Sequence, residues 1–208
     1  MAVAAQRPPA HREIMLPGMM GMFIFLTSEV MFFGSLFAMY FYLHGSHTTW
    51  PPEGTTPVSP WPIPTVNTVI LLSSGVTMHV AHSAIQKGDR GGLIRWLIPT
   101  IVLGLLFEFG QAFEFIRAYG GFGTASSEVL RFNTNEFASA FFTMTGFHGL
   151  HVLGGLILLT LILYRAARGQ FSSQHHVGVA AVTLYWHFVD VVWIFLFGIL
   201  YLGITLFR

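Results

Sequence analysis

Long apolar runs separated by short polar links are the feature that most constrains the fold of this chain. The runs lie at about 17–43, 65–86, 93–118, 136–164 and 178–206. Each is long enough to cross a hydrocarbon core of about 30 Å, which takes roughly 20 apolar residues in a helix. Because unpaired backbone amides are too costly in hydrocarbon, runs of this length are predicted to be helical. The pattern therefore predicts an all-α integral membrane bundle of five transmembrane helices.

The links contain residues that end helices. Link 44–64 is rich in Pro and Thr and is predicted to cross the membrane surface as an extended loop. Link 87–92 reads KGDRGG, a short, charged, glycine-rich turn. Asn135 is suited to cap a helix that begins at Glu136. No repeat or low-complexity tract interrupts the sequence, so residues 1–208 are interpreted as a single membrane domain.

The composition supports lipid as the main solvent of the chain. Of the 208 residues, 53% are hydrophobic and 9% are charged, whereas a soluble domain carries about 25% charged residues. The net charge of +1 and the lack of a basic run give no basis for a nucleic-acid partner. Cysteine is absent, which excludes disulfides, thiolate metal ligands and a cysteine nucleophile.

Basic residues are distributed unequally between the two sets of links. The N-terminus and links two and four carry Arg7, Arg12, Lys87, Arg90, Arg95, Arg165 and Arg168, and the opposite side carries Arg117, Arg131 and Arg208. Short cytoplasmic loops carry an excess of Lys and Arg, so the N-terminus is predicted inside and the C-terminus outside. Trp50, Trp61 and Trp96 lie at span edges, where indoles favour the headgroup layer.

Several ionisable residues lie within the spans, where a charge costs at least about 2.5–3.5 kcal/mol. Glu29 lies roughly 18 Å into the first span at about 1.5 Å per residue, near the midplane. His148 and Asp190 lie at similar depths in the fourth and fifth spans, with His151 and His187 about one turn away. We predict that these five side chains meet in one polar layer and satisfy one another by hydrogen bonds, with Glu29 protonated.

Two interpretations of this layer stay open. Interhelical hydrogen bonds from His and similar side chains hold many membrane bundles together, so His148, His151, His187 and Asp190 can be purely structural. Glu29 stands alone among apolar neighbours, and for it a structural role and a role in proton exchange or water binding are weighed equally.

A second polar group lies in the third span. Glu108, Gln111 and Glu114 have the spacing i, i+3, i+6, which places them on one face of a helix. Together with His82 and Trp193, they are interpreted as structural or lipid-contact residues. No catalytic residue or metal ligand is predicted.

Paired histidines leave a haem site as an alternative. His79 and His82 in span two and His148 and His151 in span four are i, i+3 pairs, and imidazole is a common iron ligand. The two pairs lie at different depths, however, which disfavours their binding one haem. A membrane anchor carrying haem b therefore stays open as an alternative function. A small transporter is a third reading, but no inverted repeat or broken span supports it.

Longer strings resemble one family. The buried-glutamate helix of haem–copper oxidase subunit III is similar to SEVMFFGSLFAMYFYL at 28–43, where the matching residue is Glu29. The most specific matches are FFTMTGFHGLHVLGG at 141–155 and YWHFVDVVWIFLFGILYL at 185–202. The order and spacing of these strings resemble the short five-helix bacterial form of that family. The first two helices of its seven-helix form have no counterpart here.

The resemblance implies an accessory, redox-silent subunit of a cytochrome c oxidase in the bacterial inner membrane. Haem a and copper are expected in partner subunits I and II and none in this chain. The subunit is expected to pack on subunit I, hold phospholipids and support proton uptake during the reduction of oxygen to water. A quinol oxidase is the alternative, although such subunits often carry Asp where this chain has Glu29.

Overall fold

The computed structural model describes residues 10–53, 55, 58–120 and 130–203, with side chains from residue 17 onward. The elements are α1 (Ala10–Ser46), α2 (Ile63–Gln86), α3 (Arg90–Ala118), α4 (Glu136–Ala167) and α5 (Val177–Phe197), which continues as a π-helical segment, Gly198–Leu202. The described residues contain no strand. All five helices are long and apolar enough to cross a membrane, which confirms the predicted fold class.

Helix ends and predicted span ends differ most at the start of the chain. Helix α1 begins at Ala10 and ends at Ser46, so it extends beyond both ends of the predicted span 17–43 and runs through Pro17. The predicted end of the fifth span at 206, together with Arg7 and Arg208, lies outside the described residues.

One end of the bundle joins two of the basic links. Gly88 has a φ of 81°, which favours glycine in the turn between α2 and α3. Asp89 then caps α3 by accepting a hydrogen bond from the Gly92 amide at 2.7 Å. The Arg90 guanidinium donates to the carbonyl oxygens of Ala166 and Ala167 at 2.6 and 2.5 Å. The α2–α3 turn and the end of α4 therefore lie on the same side of the bundle.

The opposite end is closed by the Pro-rich link. Asn135 caps α4 by accepting a hydrogen bond from the Ala138 amide at 2.9 Å, which confirms the predicted cap. The indole of Trp50 donates to the Tyr40 hydroxyl at 3.0 Å and packs edge-on against Phe137. This link is therefore held against α1 and the first turn of α4.

Burial is uneven between the helices. In the most apolar 18-residue stretch of α5, 56% of the residues are buried, against 11% in that of α1. Helix α5 is therefore central and α1 is peripheral. Glycines let α3 and α4 approach α5 closely. A Cβ on Gly104 or Gly155 would lie 2.9 or 2.6 Å from the ring of Trp186, which is fully buried. The exposed face of α1 carries large apolar side chains that require lipid or another polypeptide around them.

Candidate functional site

A carboxyl–imidazole pair joins α1 to α4 within the membrane span. The Oε2 atom of Glu29 lies 2.9 Å from Nε2 of His151, and the two side chains are 16% and 17% exposed. The rings of Phe32 and Phe33 pack around the imidazole, at 6.1 and 4.9 Å between centroids. Among the described side chains of α1, Glu29 makes the one hydrogen bond to another helix.

The proton count of this pair follows from its geometry. Nδ1 of His151 lies 2.7 Å from the Phe147 carbonyl oxygen, which can only accept, so Nδ1 carries a hydrogen. The Nε2–Oε2 hydrogen bond then contains one further proton, held by either Glu29 or His151. A neutral acid beside a neutral imidazole and a carboxylate beside an imidazolium have the same total charge. The pair is therefore neutral as a unit, which lowers the cost of burying it.

A second pair lies on α5, where it faces α2. The Nδ1 atom of His187 is 3.6 Å from Oδ2 of Asp190, an i, i+3 contact, and Asp190 is buried. The carboxyl group is pressed against Gly75 of α2, where a Cβ would clash with it. The ring of His79 on α2 lies 6.4 Å from that of His187. The His187–Asp190 pair therefore lies between α2 and α5, and the Glu29–His151 pair lies between α1 and α4.

His148 belongs to neither pair. It is fully buried, its Nε2 bonds to the Val189 carbonyl oxygen at 3.2 Å, and its ring lies 4.8 Å from that of Trp193. The prediction that five side chains bond one another in a single layer is therefore wrong, although Glu29 does meet His151. Three residues along a helix differ by roughly 60° in direction, which lets His148 face α5 while His151 faces α1.

The polar stripe of α3 packs inward. Nε2 of Gln111 donates to the Thr145 carbonyl oxygen of α4 at 2.8 Å, and Oε2 of Glu114 accepts from the Tyr201 hydroxyl at 3.1 Å. Gln111 and Glu114 are 4% and 6% exposed, which favours the structural interpretation over lipid contact. Glu108 is half-buried beside Gly149 of α4.

Trp193 and His82 occupy different environments. The indole of Trp193 is buried and donates to the Thr68 hydroxyl at 2.9 Å, which also favours the structural interpretation. His82 is half-buried near the end of α2, where its ring lies 5.9 Å from that of His176. Within the described ranges, no group of three or more His, Cys, Asp or Glu side chains has the geometry of a metal site.

Sequence reasoning missed two tyrosines that support these contacts. The Tyr185 hydroxyl donates to the His151 carbonyl oxygen at 2.9 Å and so fixes the backbone beside the Glu29–His151 pair. Tyr201 reaches Glu114 from the π-helical segment. Tyr201 lies near the end of the fifth span, where a tyrosine is typical of a headgroup anchor, and the pattern held no signal for either contact.

These features define a multi-pass membrane protein of the all-α class, in which several polar side chains within the membrane form hydrogen bonds to a neighbouring helix. The sequence profile of the family described as cytochrome c oxidase subunit III matches residues 5–204. The chain belongs to this family.

Individual relatives agree with this assignment. A cytochrome c oxidase subunit 3 from Thermostichus vulcanus is 42% identical over 97% of this chain and 93% of its own length. The protein of that name from Paracentrotus lividus is 44% identical over 86% of this chain and 67% of its own length. The one from Synechocystis is 42% identical over 88% of this chain and 75% of its own length.

The Glu29–His151 contact is testable by a double-mutant cycle. We expect Glu29→Ala and His151→Ala each to lower the free energy of unfolding and the double variant to lose less than their sum. A coupling of about 0.6–1.7 kcal/mol is expected for an interhelical hydrogen bond in a membrane. Denaturant titration of the purified protein in mild detergent measures it. Pairing Ser28→Ala with His151→Ala is the control, because the Ser28 hydroxyl bonds within α1. Additivity of the Glu29 and His151 changes would contradict the contact.

Proposed function

We propose that this chain is an accessory, redox-silent subunit of an aerobic terminal cytochrome c oxidase in a bacterial plasma membrane. It packs on subunit I, in a complex where subunits I and II carry haem a and copper. It also holds phospholipids and helps sustain proton uptake while oxygen is reduced to water. The observation that carries the proposal is the Glu29–His151 pair, because Glu29 lies in the string that resembles the family's buried-glutamate helix and His151 lies in the matching string at 141–155.

The proposed support of proton uptake rests on the ability of the Glu29–His151 pair to hold and exchange a proton. One proton lies between a carboxyl oxygen and an imidazole nitrogen at 2.9 Å, and both groups stay slightly exposed at the bundle surface. Such a pair can accept a proton from one side and release it on the other while its total charge changes by only one unit. This chemistry suits a group that keeps a neighbouring uptake path protonated and hydrated.

The outer faces of the bundle support the assignment of partners and lipids. Large apolar residues cover the exposed side of α1, including Met20, Phe23, Ile24 and Met31. A cavity of about 280 Å³ between α1, Trp50 of the first link and the π-helical segment is lined mainly by rings, among them Tyr40 and Phe41, together with Ile199. An acyl chain suits such a lining. Lipid and a larger neighbouring subunit would together cover surfaces of this kind.

Isolation of the native complex tests the assignment of partners. We expect the chain, extracted in native lipid, to co-purify with subunits that contain haem a and copper, as identified by mass spectrometry and optical spectra. The chain purified alone is expected to show no Soret band. A b-type haem spectrum in the isolated chain would instead support a haem-b membrane anchor and refute the redox-silent role. Oxidation of quinol but not of cytochrome c by the complex would change the proposed donor.

We also propose that the N-terminus lies inside, because Lys87, Arg90, Arg165 and Arg168 lie at one end of the bundle. The chain has no cysteine, so single cysteines can report its orientation. Lys87→Cys is expected to react with a membrane-impermeant maleimide only in inverted vesicles. Glu53→Cys, in the opposite link, is expected to react in right-side-out spheroplasts. Labelling of the two positions from the reverse sides would overturn the orientation.

The role of Glu29 is testable by turnover measurements. In Glu29→Gln the pair loses its exchangeable carboxyl proton, while the side chain keeps its size and hydrogen-bonding capacity. We expect normal assembly and a near-normal initial rate, with activity lost after fewer turnovers than in the parent complex. Oxygen consumption followed to inactivation measures this loss. Ser28→Ala, one residue away, should behave as the parent does. Equal lifetimes for Glu29→Gln and the parent would remove the functional claim for Glu29.

A further inference from the structure

A second carboxyl group, unrelated to Glu29, lies where α3 crosses α4 at Gly149. A Cβ on Gly149 would lie 3.4 Å from Oε1 of Glu108 and 3.7 Å from Oε1 of Gln111. The two side chains are i, i+3 neighbours on α3, so they share a face and meet the same patch of the α4 backbone. Both side-chain oxygens therefore lie within van der Waals reach of the same point on the α4 backbone.

The orientation of the Gln111 amide is fixed by its neighbour. Nε2 donates to the Thr145 carbonyl oxygen at 2.8 Å, and a carbonyl oxygen cannot donate in return. Oε1 is therefore the atom that lies against Gly149, where Oε1 of Glu108 also lies. The Gln111 oxygen is buried and has no hydrogen-bond partner within the described residues, in a side chain that is 4% exposed. An unpaired buried acceptor costs free energy, so this oxygen needs a donor.

Glu108, like Gln111, has a buried oxygen that lacks a hydrogen-bond partner in the described part of the chain. Its Oε2 atom is buried and unpaired among the described residues. The nearby titratable groups supply no donor: Oε2 of Glu114 accepts from Tyr201, and Nε2 of His148 donates to the Val189 carbonyl oxygen. Oε1 of Glu114 and Nδ1 of His148 are themselves buried and unpaired among the described residues. An ionised Glu108 would thus place a charged acceptor beside the free acceptor of Gln111. One proton on Glu108 removes both problems, because a carboxylic acid has an O–H to donate.

We propose that Glu108 is a proton-binding site of the membrane interior, which as a neutral acid donates a hydrogen bond to Oε1 of Gln111. The bound proton completes a short chain from Glu108 through Gln111 to the α4 backbone at Thr145. Loss of the proton turns the donor into a charged acceptor and loosens the α3–α4 contact at Gly149. This inference does not depend on the role of Glu29 or on the proposed accessory function.

Infrared spectroscopy of the complete chain in lipid nanodiscs, with the subunits it retains, tests the protonation of Glu108. The difference between the parent and Glu108→Gln at neutral pH is expected to contain the C=O band of a protonated carboxylic acid. Glu53→Gln, in the exposed link, is the matched control and should remove carboxylate bands instead. A carboxylate difference for Glu108→Gln would show an ionised side chain and overturn the proposal.

Stability measured against pH tests the hydrogen bond separately. Glu108→Gln keeps an N–H donor for Gln111, whereas Glu108→Met has none and leaves Oε1 unpaired. We expect Glu108→Gln to melt near the parent temperature at neutral pH and Glu108→Met to melt lower. Raising the pH should destabilise the parent more than Glu108→Gln, because only the parent has a proton to lose here. Equal melting of the Gln and Met variants, or identical pH profiles for the parent and Glu108→Gln, would overturn the hydrogen bond.

Discussion

The pairing of polar side chains in the absence of water is the constraint on which this structure depends. Hydrocarbon offers no donor or acceptor, so every polar group in a span needs a partner from the protein. Hydroxyl groups mostly bond within their own helix, whereas other partners come from a neighbouring helix: Glu29 of α1 bonds His151 of α4, and Gln111 of α3 bonds the α4 backbone at Thr145. Trp186 of α5 donates to Ser74 of α2 at 3.0 Å. Each bond fixes which helix faces which, while apolar packing around Trp186 sets how closely they approach.

The peripheral position of α1 follows from the same constraint. Little of this helix is buried, and within the described residues its side chains make one hydrogen bond to another helix, through Glu29. A contact of this kind is worth about 1 kcal/mol, a small share of what holds a helix in place. Packing of the buried side chains Leu26, Phe33 and Tyr40 against the bundle also holds this helix. The Glu29–His151 pair therefore lies beside the part of the bundle that most needs lipid or a neighbouring subunit.

Sequence patterns predicted the five spans and one helix cap, but they did not predict which polar side chain bonds to which helix. Hydropathy located five spans, and Asn135 was predicted as a cap because its side chain suits that position. Periodicity placed Gln111 and Glu114 on one face, but it does not say which helix that face meets. The single polar layer failed at His148, because a rotation of roughly 60° over three residues separates two neighbouring helices. Contacts such as Tyr185 with His151 depend on crossing geometry, which leaves no local sequence signal.

Glu29 and Glu108, two of the carboxyl groups within the spans, differ in kind because their partners differ. Glu29 faces an imidazole, a base that can take the proton, so the proton can move within the pair without changing its total charge. Glu108 lies beside an amide oxygen, which accepts a hydrogen bond but does not hold a proton near neutral pH. Any proton that leaves Glu108 must leave the site altogether and exposes a negative charge to the α3–α4 contact. The chemistry of the partner therefore suits the first group to proton exchange and the second to a bound, structural proton.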